Sequence, residues 1–377
     1  MQLDDIIIQK IKDNGPISFR DFMEMCLYYP ELGYYTSAHD TIGKRGDFYT
    51  SAYLTPAFGA MIARQLEEMW RILGGGSFTV VEYGAGTGYL CHDILLYLKQ
   101  NSNLYHHLSY CIIEKSAVMR EIEKTNLAGS NLNEKVSWHD SINDISGISG
   151  CILSNELIDN FSVHQVVMQN ELMEIYVDDN NGFVEVMQPA GKALQEYIKE
   201  LNIVLPKGFR SEINLEATKW ISDIATCLHS GYLLTIDYGY LSDELYCDRR
   251  SQGTLVCYNK HSVNDCPYTA IGRQDITSHV NFSALDHWGM KGGLQSCGFT
   301  NQANFLLGLG LNEYLTKAID EDARFLNYKK NALLKYMLLV DMGNKYKVLI
   351  QQKGCSQHTL SGLKLAKEPV YTAAQAV

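Results

Sequence analysis

The chain has 377 residues, of which 46% are hydrophobic and 20% charged, a composition typical of a globular protein with one large core or a core with insertions. Its formal net charge is −11 at pH 7. This acidic balance argues against general nucleic-acid binding, which depends on basic surface, and favours a basic substrate.

The ten cysteines are scattered, without a C-x-x-C pair or a clustered Cys/His set. Neither a zinc site nor a disulfide framework is indicated, so we expect no metal and reduced thiols. Residues 1–13 resemble neither a secretory signal nor a transit peptide, and no segment is apolar enough to span a membrane. These features predict a cytoplasmic protein without a membrane partner; they leave the oligomeric state open.

The N-terminal part is predicted to be helical. Apolar spacing indicates helices over residues 3–13 and 18–29, with Ser18 as the N-cap of the second. A glycine- and tyrosine-rich loop over 30–48 is long for a connector, which indicates a functional or a disordered segment, and its tyrosines favour order. A helix follows over 56–73.

Strands and helices then alternate, which is typical of a parallel sheet with helices on both faces and a ligand at the carboxyl ends of the strands. The predicted strands are 79–81, 110–114, 136–138, 151–154 and 232–236. The last third is predicted to contain helices over 283–296, 314–318 and 322–339 and a strand over 347–351.

An insertion separates the fourth and fifth of these strands. It is predicted to hold three antiparallel strands, over 163–168, 173–177 and 183–187, and two helices, over 192–201 and 215–229. Such insertions usually cover an active site and shape substrate choice. The predicted division of the chain is an N-terminal segment with a lid loop at 1–73, a core at 74–162 and 230–352, the insertion at 163–229 and a tail at 353–377.

A glycine turn joins the first strand to a helix that starts near Tyr89. Glu82 precedes Gly84, Gly86 and Gly88, whereas a dinucleotide fingerprint has different glycine spacing and its acid about 20 residues later. The turn resembles motif I of class I S-adenosylmethionine (SAM) methyltransferases. That resemblance implies that the glycines pass under the methionine part of SAM and that Glu82 supports its ammonium group. The alternative is a tight turn without a ligand.

Further stretches resemble one family, the MidA-type SAM-dependent methyltransferases. They extend from residue 17 to about 310 and read ISFRDFMEMCLYYPELGYY, GDFYTSAYLTPAFG, VVEYGAGTGYLCHDIL, SNELIDNFSVHQ, LPKGFRSE, LTIDYGY, GTLVCYNKH and GRQDITSHVNFSAL. The resemblance implies protein arginine N-methylation, tied in mitochondria to assembly of respiratory complex I. The chain departs from the family pattern in Asp159–Val163, which lacks the usual alanine and proline, and in the Thr-Ser-Ala-Tyr that follows GDF.

Acids at strand ends are the next cofactor candidates. In this fold Glu114 is expected to accept hydrogen bonds from both ribose hydroxyls, and Asp140 to bind the adenine amino group. The alternatives are a solvated acid for Glu114 and ordinary turn chemistry for Asp140.

The fourth strand ends in the predicted catalytic residues, Asn155, Glu156 and Asp159. A helical turn would place the two carboxylates on one face, where they could orient a planar guanidinium that stays protonated at neutral pH. The alternative is an acid at a helix N-cap. The Asn/Asp-Pro-Pro-Tyr/Phe motif of amide and base amino methyltransferases does not occur in the sequence.

The remaining candidates depend on the family resemblance. Thr50 and Ser51 are predicted to bind the SAM carboxylate, and Asp47 a substrate or the cofactor; an Asx-type turn is the alternative. Glu212 and His279 are candidate substrate residues, although a lone histidine is more often structural.

The sequence thus predicts an α/β, class I SAM methyltransferase fold (Rossmann-like, with a seven-strand sheet), a helical N-terminal segment and a substrate-covering insertion. The leading hypothesis is methylation of an arginine side chain on a protein. The alternatives are a small-molecule or other-nucleophile methyltransferase and a non-catalytic SAM-binding assembly factor.

Overall fold

A computed structural model of the protein describes residues 2–37, 51–145, 147–259, 262–320 and 332–366, the last four of 262–320 by backbone alone. The chain folds into two compact units, each made of three separate segments. The core unit comprises Tyr49–Leu157, Ile221–Tyr238 and Trp288–Val377, and the insertion unit comprises Met1–Phe48, Ile158–Trp220 and Gly239–His287.

The strands that the structure describes are, in chain order, β1 (Ile17–Ser18), β2 (Phe78–Tyr83), β3 (Leu108–Ile113), β4 (Val136–His139), β5 (Ile148–Asn155), β6 (His164–Met168), β7 (Leu172–Asp179), β8 (Phe183–Pro189), β9 (Arg210–Ile213), β10 (Leu228–Tyr240), β11 (Val256–Asn259), β12 (Ser262–Asn264), β13 (Asp275–Thr277), β14 (Val280–Asn281), β15 (Gln295–Asn301) and β16 (Tyr346–Lys353).

The described α-helices are α1 (Leu3–Asn14), α2 (Phe19–Tyr28), α3 (Ser51–Leu54), α4 (Pro56–Ile72), α5 (Tyr89–Leu98), α6 (Ser102–His107), α7 (Ala117–Ala128), α8 (Lys192–Glu200), α9 (Leu215–Cys227), α10 (Ser242–Leu245), α11 (Phe282–Lys291), α12 (Gln302–Gly308), α13 (Leu311–Asp320) and α14 (Met342–Lys345). In the part of the chain that the structure describes, no helix has both the length and the apolar character needed to cross a membrane.

The core unit is built on seven strands in the order β15-β16-β10-β5-β2-β3-β4, and the short strand β14 pairs with the last residues of β10 as an eighth strand of this sheet. Neighbours from β10 to β4 are parallel, whereas β16 is antiparallel to both β10 and β15. The parallel strands end at one edge, which brings the ends of β2, β3 and β5 together. The predicted α/β methyltransferase fold with seven strands is confirmed.

Helices α4 and α5 supply buried apolar side chains to the hydrophobic core of the core unit. Helix α4 contributes Phe58, Ile62 and Leu66, and α5 contributes Ile94 and Leu95, all 0% exposed. The apolar spacing that predicts α4 therefore reflects the face that packs on the sheet.

The insertion unit has a five-stranded antiparallel sheet in the order β1-β7-β6-β9, with β8 on β7, and a second sheet in the order β12-β11-β13. Helix α2 packs its buried face, including Phe19 and Phe22, into this unit's core. Ser18 caps α2, because its hydroxyl accepts the Asp21 N–H at 3.1 Å. The three antiparallel strands predicted for the insertion correspond to β6, β7 and β8.

The two units have different boundaries from the four predicted segments, because residues 239–287 supply β11 to β14 to the insertion unit rather than to the core. The helix predicted over 283–296 is wrong in its second half. Helix α11 ends at Lys291, Gly292 and Gly293 follow, and Gln295 begins β15. Most of the helix predicted over 322–339 lies outside the described residues; within them, 332–336 is helical and Met337–Asp341 is a π-helical turn.

Candidate functional site

The turn after β2 contains three glycines, which have no side chain beyond the backbone. Gly84, Gly86 and Gly88 have φ values of 61°, 57° and 78°, in the left-handed region that strains other residues. A Cβ on Gly84 would lie 2.9 Å from Cδ1 of Leu157. Because α5 begins directly after Gly88, the turn leads into unpaired helical N–H groups.

Helix α7 supports this turn from one side. Asn126 Nδ2 donates to the Thr87 carbonyl at 2.7 Å, and a Cβ on Gly88 would lie 3.3 Å from Cα of Glu123. Glu123 is fully buried, and its Oε2 accepts the indole N–H of Trp138 at 2.7 Å. Burial raises the pKa of Glu123 to about 8. The sequence interpretation missed this contact, since nothing in the local pattern distinguishes Glu123 from a surface acid.

The side chain of Glu82, near the end of β2, is buried. It is 2% exposed, and its Oε2 accepts the hydroxyl of Tyr110, on the neighbouring β3, at 2.7 Å. Burial raises the pKa of Glu82 to about 7. A cation brought near this carboxyl would favour its ionised form.

The acids after β3 and β4 have different surroundings. Glu114 is partly exposed, its Oε1 accepts the Ser116 N–H at 2.7 Å, and burial raises its pKa. Arg120 donates through Nε to the Glu114 carbonyl at 2.6 Å and forms an ion pair with Asp140 through Nη2. The Asp140 side chain is 81% exposed, which makes this a surface ion pair.

These features fit SAM. The glycine turn offers open backbone, and Glu82 and Glu114 place carboxylates at the ends of adjacent strands, where an ammonium group and ribose hydroxyls would find acceptors. Gly84, Gly86, Gly88, Glu82 and Glu114 are therefore the residues that would hold the cofactor. When bound, SAM supplies an electrophilic methyl group on a sulfonium.

The end of β5 carries a second carboxyl site, at Glu156. Its φ of 51° is unusual for a non-glycine residue, and its N–H donates to the Ile236 carbonyl on β10 at 2.9 Å. Oε1 accepts the Ser51 N–H and the Asn155 amide, each at 3.3 Å, and Oε2 accepts the Tyr346 hydroxyl at 2.5 Å. Glu156 is partly exposed. Desolvation, and next the hydrogen bond from Tyr346 that partly offsets it, leave its pKa raised to about 7.

Two tyrosines and an aspartate behind Glu156 were missed by the sequence interpretation. The buried Tyr346 hydroxyl is 2.5 Å from that of Tyr238, and their rings are 3.9 Å apart. Asp237, which is also buried, accepts the Leu157 N–H at 3.1 Å. Asp237 and Tyr238 could have been found by the strand-end rule applied to β10; Tyr346 could not, because it is 190 residues from Glu156.

Of the three lid-loop candidates, Ser51 is described, whereas Asp47 and Thr50 lie outside the described residues. Ser51 begins α3, and its hydroxyl donates to Oε1 of Gln302 at 3.3 Å. With its backbone N–H on Glu156, Ser51 thus lies at the predicted catalytic site.

Asp159 belongs to the insertion unit and is 5% exposed. It lies in a 3₁₀ turn, Ile158–Asn160, and its carbonyl accepts the Ser278 N–H at 3.0 Å. The expected α-helical turn from Glu156 to Asp159 does not form, because the left-handed φ of Glu156 is incompatible with it. A helical i, i+3 pairing therefore does not relate these two carboxylates.

The insertion unit does bring Glu212 and His279 together through Thr254. Oε2 of the buried Glu212 accepts the Thr254 N–H at 2.8 Å and its hydroxyl at 3.0 Å. The Thr254 hydroxyl accepts the backbone N–H of His279 at 3.0 Å. Burial raises the pKa of Glu212. The imidazole of His279 lies 5.3 Å from the Tyr240 ring, centroid to centroid.

Comparison with known proteins agrees with this geometry. Residues 61–300 match the Methyltransf_28 family of S-adenosyl-L-methionine-dependent methyltransferases. A Burkholderia thailandensis protein crystallised with S-adenosyl-homocysteine superposes with a TM-score of 0.89 at 29% identity, over 97% of this chain and 95% of that one.

Curated relatives are similar over most of their length. The protein arginine methyltransferase NDUFAF7 homolog of Drosophila melanogaster is 26% identical over 92% of this chain and 83% of its own length. The human protein arginine methyltransferase NDUFAF7 is 26% identical over 84% of this chain and 76% of its own length.

The predicted cytoplasmic location is wrong by this comparison, since these relatives are named as mitochondrial proteins. The prediction depended on scattered thiols and on the first 13 residues. Unpaired thiols distinguish reducing from oxidising surroundings and do not distinguish one reducing compartment from another.

The family match covers more than half of the chain, and the glycine turn and strand-end acids lie within it. The chain therefore belongs to the S-adenosyl-L-methionine-dependent methyltransferases, as its MidA-type motifs predicted, and is an enzyme that uses SAM as its cofactor.

Proposed function

We propose that this methyltransferase transfers the methyl group to an arginine side chain of a protein substrate. The observation that carries the proposal is Glu156, a partly exposed carboxyl at the end of β5 whose described partners, Tyr346, Ser51 and Asn155, are neutral donors. Among the described residues, this carboxyl has no cationic partner. The relatives named as protein arginine methyltransferases support the same substrate class.

The charge of Glu156 suits a guanidinium. With a pKa of about 7, the carboxyl is poised between its two forms at neutral pH. A bound guanidinium, which stays protonated, would lower that pKa and favour the carboxylate. The carboxylate would orient one nitrogen and accept the proton that this nitrogen releases. Most of the rate enhancement would come from positioning.

Other predicted residues have supporting parts in this proposal. In the core unit, Asn155 donates to Glu156, and Ser51 holds it through the backbone. In the insertion unit, Asp159, Glu212 and His279 are proposed substrate residues, with Glu212 and His279 fixed by Thr254. Asp140 is proposed to contact the adenine after exchanging its bond to Arg120.

The test is transfer of a labelled methyl group from SAM into protein of a lysate from cells lacking this enzyme, followed by complete hydrolysis and amino-acid analysis. We expect label in methylarginine. Label confined to small molecules would reject a protein acceptor, and label in another amino acid would reject arginine. Mass spectrometry of methylated proteins in a deletion strain against its parent would then identify the substrate.

A further inference from the structure

The Tyr346 hydroxyl lies between two other oxygens, those of Glu156 and Tyr238. Both O···O distances are 2.5 Å, which is at the short end for hydrogen bonds between oxygens. Tyr346 has one hydroxyl proton and cannot donate to both neighbours. When Glu156 is ionised, the consistent arrangement is Tyr238 donating to Tyr346 and Tyr346 donating to Glu156.

The three hydrogen-bonded groups differ in their exposure to solvent. Glu156 and Tyr238 are partly exposed, whereas Tyr346 is 0% exposed. Tyr346 thus connects two groups that each have access to their surroundings, through an interior position where hydrogen bonds are stronger than in water. The rings of Tyr346 and Tyr238 are in contact, with centroids 3.9 Å apart and planes tilted by 36°, which keeps the two hydroxyls close together.

We propose that Tyr346 and Tyr238 form a proton relay that empties Glu156 after each methyl transfer. The proposal rests on the proposed function of Glu156 as the group that accepts a proton from the methylated nitrogen. It goes beyond that function by assigning the exit path of the proton to two positioning residues on neighbouring strands, one on β10 and one on β16.

The steps balance without any further reactant. The N–H bond of the methylated nitrogen breaks, its electron pair stays on nitrogen, and the proton goes to Glu156. The Tyr238 and Tyr346 hydroxyls then turn, so that Glu156 donates to Tyr346, Tyr346 donates to Tyr238, and the Tyr238 proton points away from Tyr346. The Glu156 proton moves to the Tyr346 oxygen as the Tyr346 proton moves to the Tyr238 oxygen, and Tyr238 releases its own proton to solvent. Both tyrosines end neutral, and the hydroxyls are again in the starting arrangement.

Among the described residues, the other titratable group that faces Glu156 is Asp237, on β10. Its negative charge raises the pKa of Glu156, whereas the hydrogen bond from Tyr346 lowers it. Burial and the neighbouring Asp237 both favour the protonated form of Glu156, and the relay works against both.

The first test needs no methyl acceptor. Protein labelled with ¹³C at the glutamate carboxyl is titrated by NMR between pH 5 and 9 with S-adenosyl-homocysteine present, and the Glu156 signal is assigned by its loss in Glu156→Gln. In Tyr346→Phe, which keeps the ring but loses the donor, we expect the Glu156 midpoint to rise by about one pH unit. In Tyr238→Phe we expect a smaller rise, because Tyr346 still donates but is less polarised.

Tyr110→Phe is the matched control, because it removes the equivalent hydroxyl from Glu82. It should move the Glu82 midpoint and leave that of Glu156 in place. An unchanged Glu156 midpoint in Tyr346→Phe would overturn the relay. So would a Tyr238→Phe enzyme that transfers methyl groups to protein at the wild-type kcat. We expect about a tenfold loss in kcat with KM retained, which is less than the roughly 100-fold or more of a group that exchanges a proton with the substrate directly.

The outcomes separate this proposal from the arginine assignment. If the wild-type enzyme methylates another residue, the arginine assignment fails while the NMR titration and the Tyr238→Phe kinetics still decide the relay. If arginine is methylated and the midpoints do not move, the relay alone fails. Should Tyr346→Phe lose its fold, Tyr238→Phe decides alone, because a wild-type kcat in that variant overturns the relay.

Discussion

The ends of β2 and β5 carry the same chemical pair in different settings. Glu82 accepts the Tyr110 hydroxyl and Glu156 accepts the Tyr346 hydroxyl, and burial raises the pKa of each carboxyl to about 7. Glu82, however, is 2% exposed, whereas Glu156 is partly exposed. In the proposed mechanism the same pair therefore holds a buried carboxyl beneath the cofactor turn in one place and a reachable proton acceptor in the other.

The backbone conformation after β2 also differs from that after β5. After β2, left-handed conformations fall on Gly84, Gly86 and Gly88, where they cost little. After β5, the left-handed residue is Glu156 itself, and such strain in a non-glycine residue persists when the surroundings determine it. We therefore propose that the cofactor end is built from backbone and the acceptor end from an oriented side chain.

The sharpest way to break this comparison is to neutralise each carboxyl in turn. Glu156→Gln should lower methyl transfer at saturating SAM by about 100-fold, because it removes a proton acceptor. Its SAM Kd should stay within about twofold. Glu82→Gln should instead weaken SAM binding by about tenfold, since it replaces a charged acceptor by a neutral one. Calorimetric titration gives Kd, and single-turnover transfer gives the rate.

Both variants keep an oxygen for the tyrosine donor, so each serves as the control for the other. A Glu156→Gln enzyme with wild-type transfer would remove Glu156 from the mechanism. Equal effects of the two variants on Kd and on rate would show that the two strand ends are not functionally distinct.

Sequence reasoning predicted the parts of this comparison that repeat locally. The order strand, glycine turn, helix is visible from Thr79 to Leu98, and the alternation that follows predicts the parallel sheet. Glu82 was predicted from its place two residues before the first glycine, and Glu114 and Glu156 from their places at or just after a strand end. Those signals need only a short stretch of sequence.

The remaining features depend on contacts between distant segments. Tyr346 reaches Glu156 from 190 residues away, and no period in the sequence relates them. Strand β15 was missed because the helical pattern of α11 was continued past Gly292 and Gly293, which mark its end. The short strands β11 to β13 have three or four residues each, too few to show an alternation.

A second prediction tests whether the glycine turn is a cofactor site or a bare turn. Gly84 and Gly147 both have a φ of 61°, so an alanine costs similar backbone strain at either position. At Gly84 the added Cβ also meets Leu157 at 2.9 Å, whereas at Gly147 nothing lies within 4 Å. Gly84→Ala should weaken SAM binding by about tenfold and Gly147→Ala by less than about twofold, measured by calorimetry.

Equal weakening in both variants would mean that the effect comes from lost stability rather than from the turn. Wild-type affinity in Gly84→Ala would place the cofactor elsewhere. Thermal melts of both proteins without SAM check that the strain is matched.

The smallest expected effect concerns the acid beneath the turn, Glu123. Its folded pKa of about 8 lies above the value of an exposed glutamate, near 4.3. Between these two pH values the unfolded chain has already lost the proton that the folded protein keeps, so stability is full below about pH 4 and falls as the pH rises through 8. Glu123→Gln keeps an oxygen for Trp138 and removes the titration.

We therefore expect the wild-type Tm to fall more between pH 5 and pH 9 than that of Glu123→Gln, by about 2 °C. Glu121→Gln is the control, because it removes one charge from the same helix at a side chain that is 72% exposed. The pKa values of Glu82 and Glu156 are also raised, so these two carboxyls also make the stability fall as the pH rises. Some pH dependence should therefore persist in Glu123→Gln. If Glu121→Gln flattened the profile as much as Glu123→Gln, the effect would come from net charge, and the buried carboxyl under Gly88 would have no special part in it.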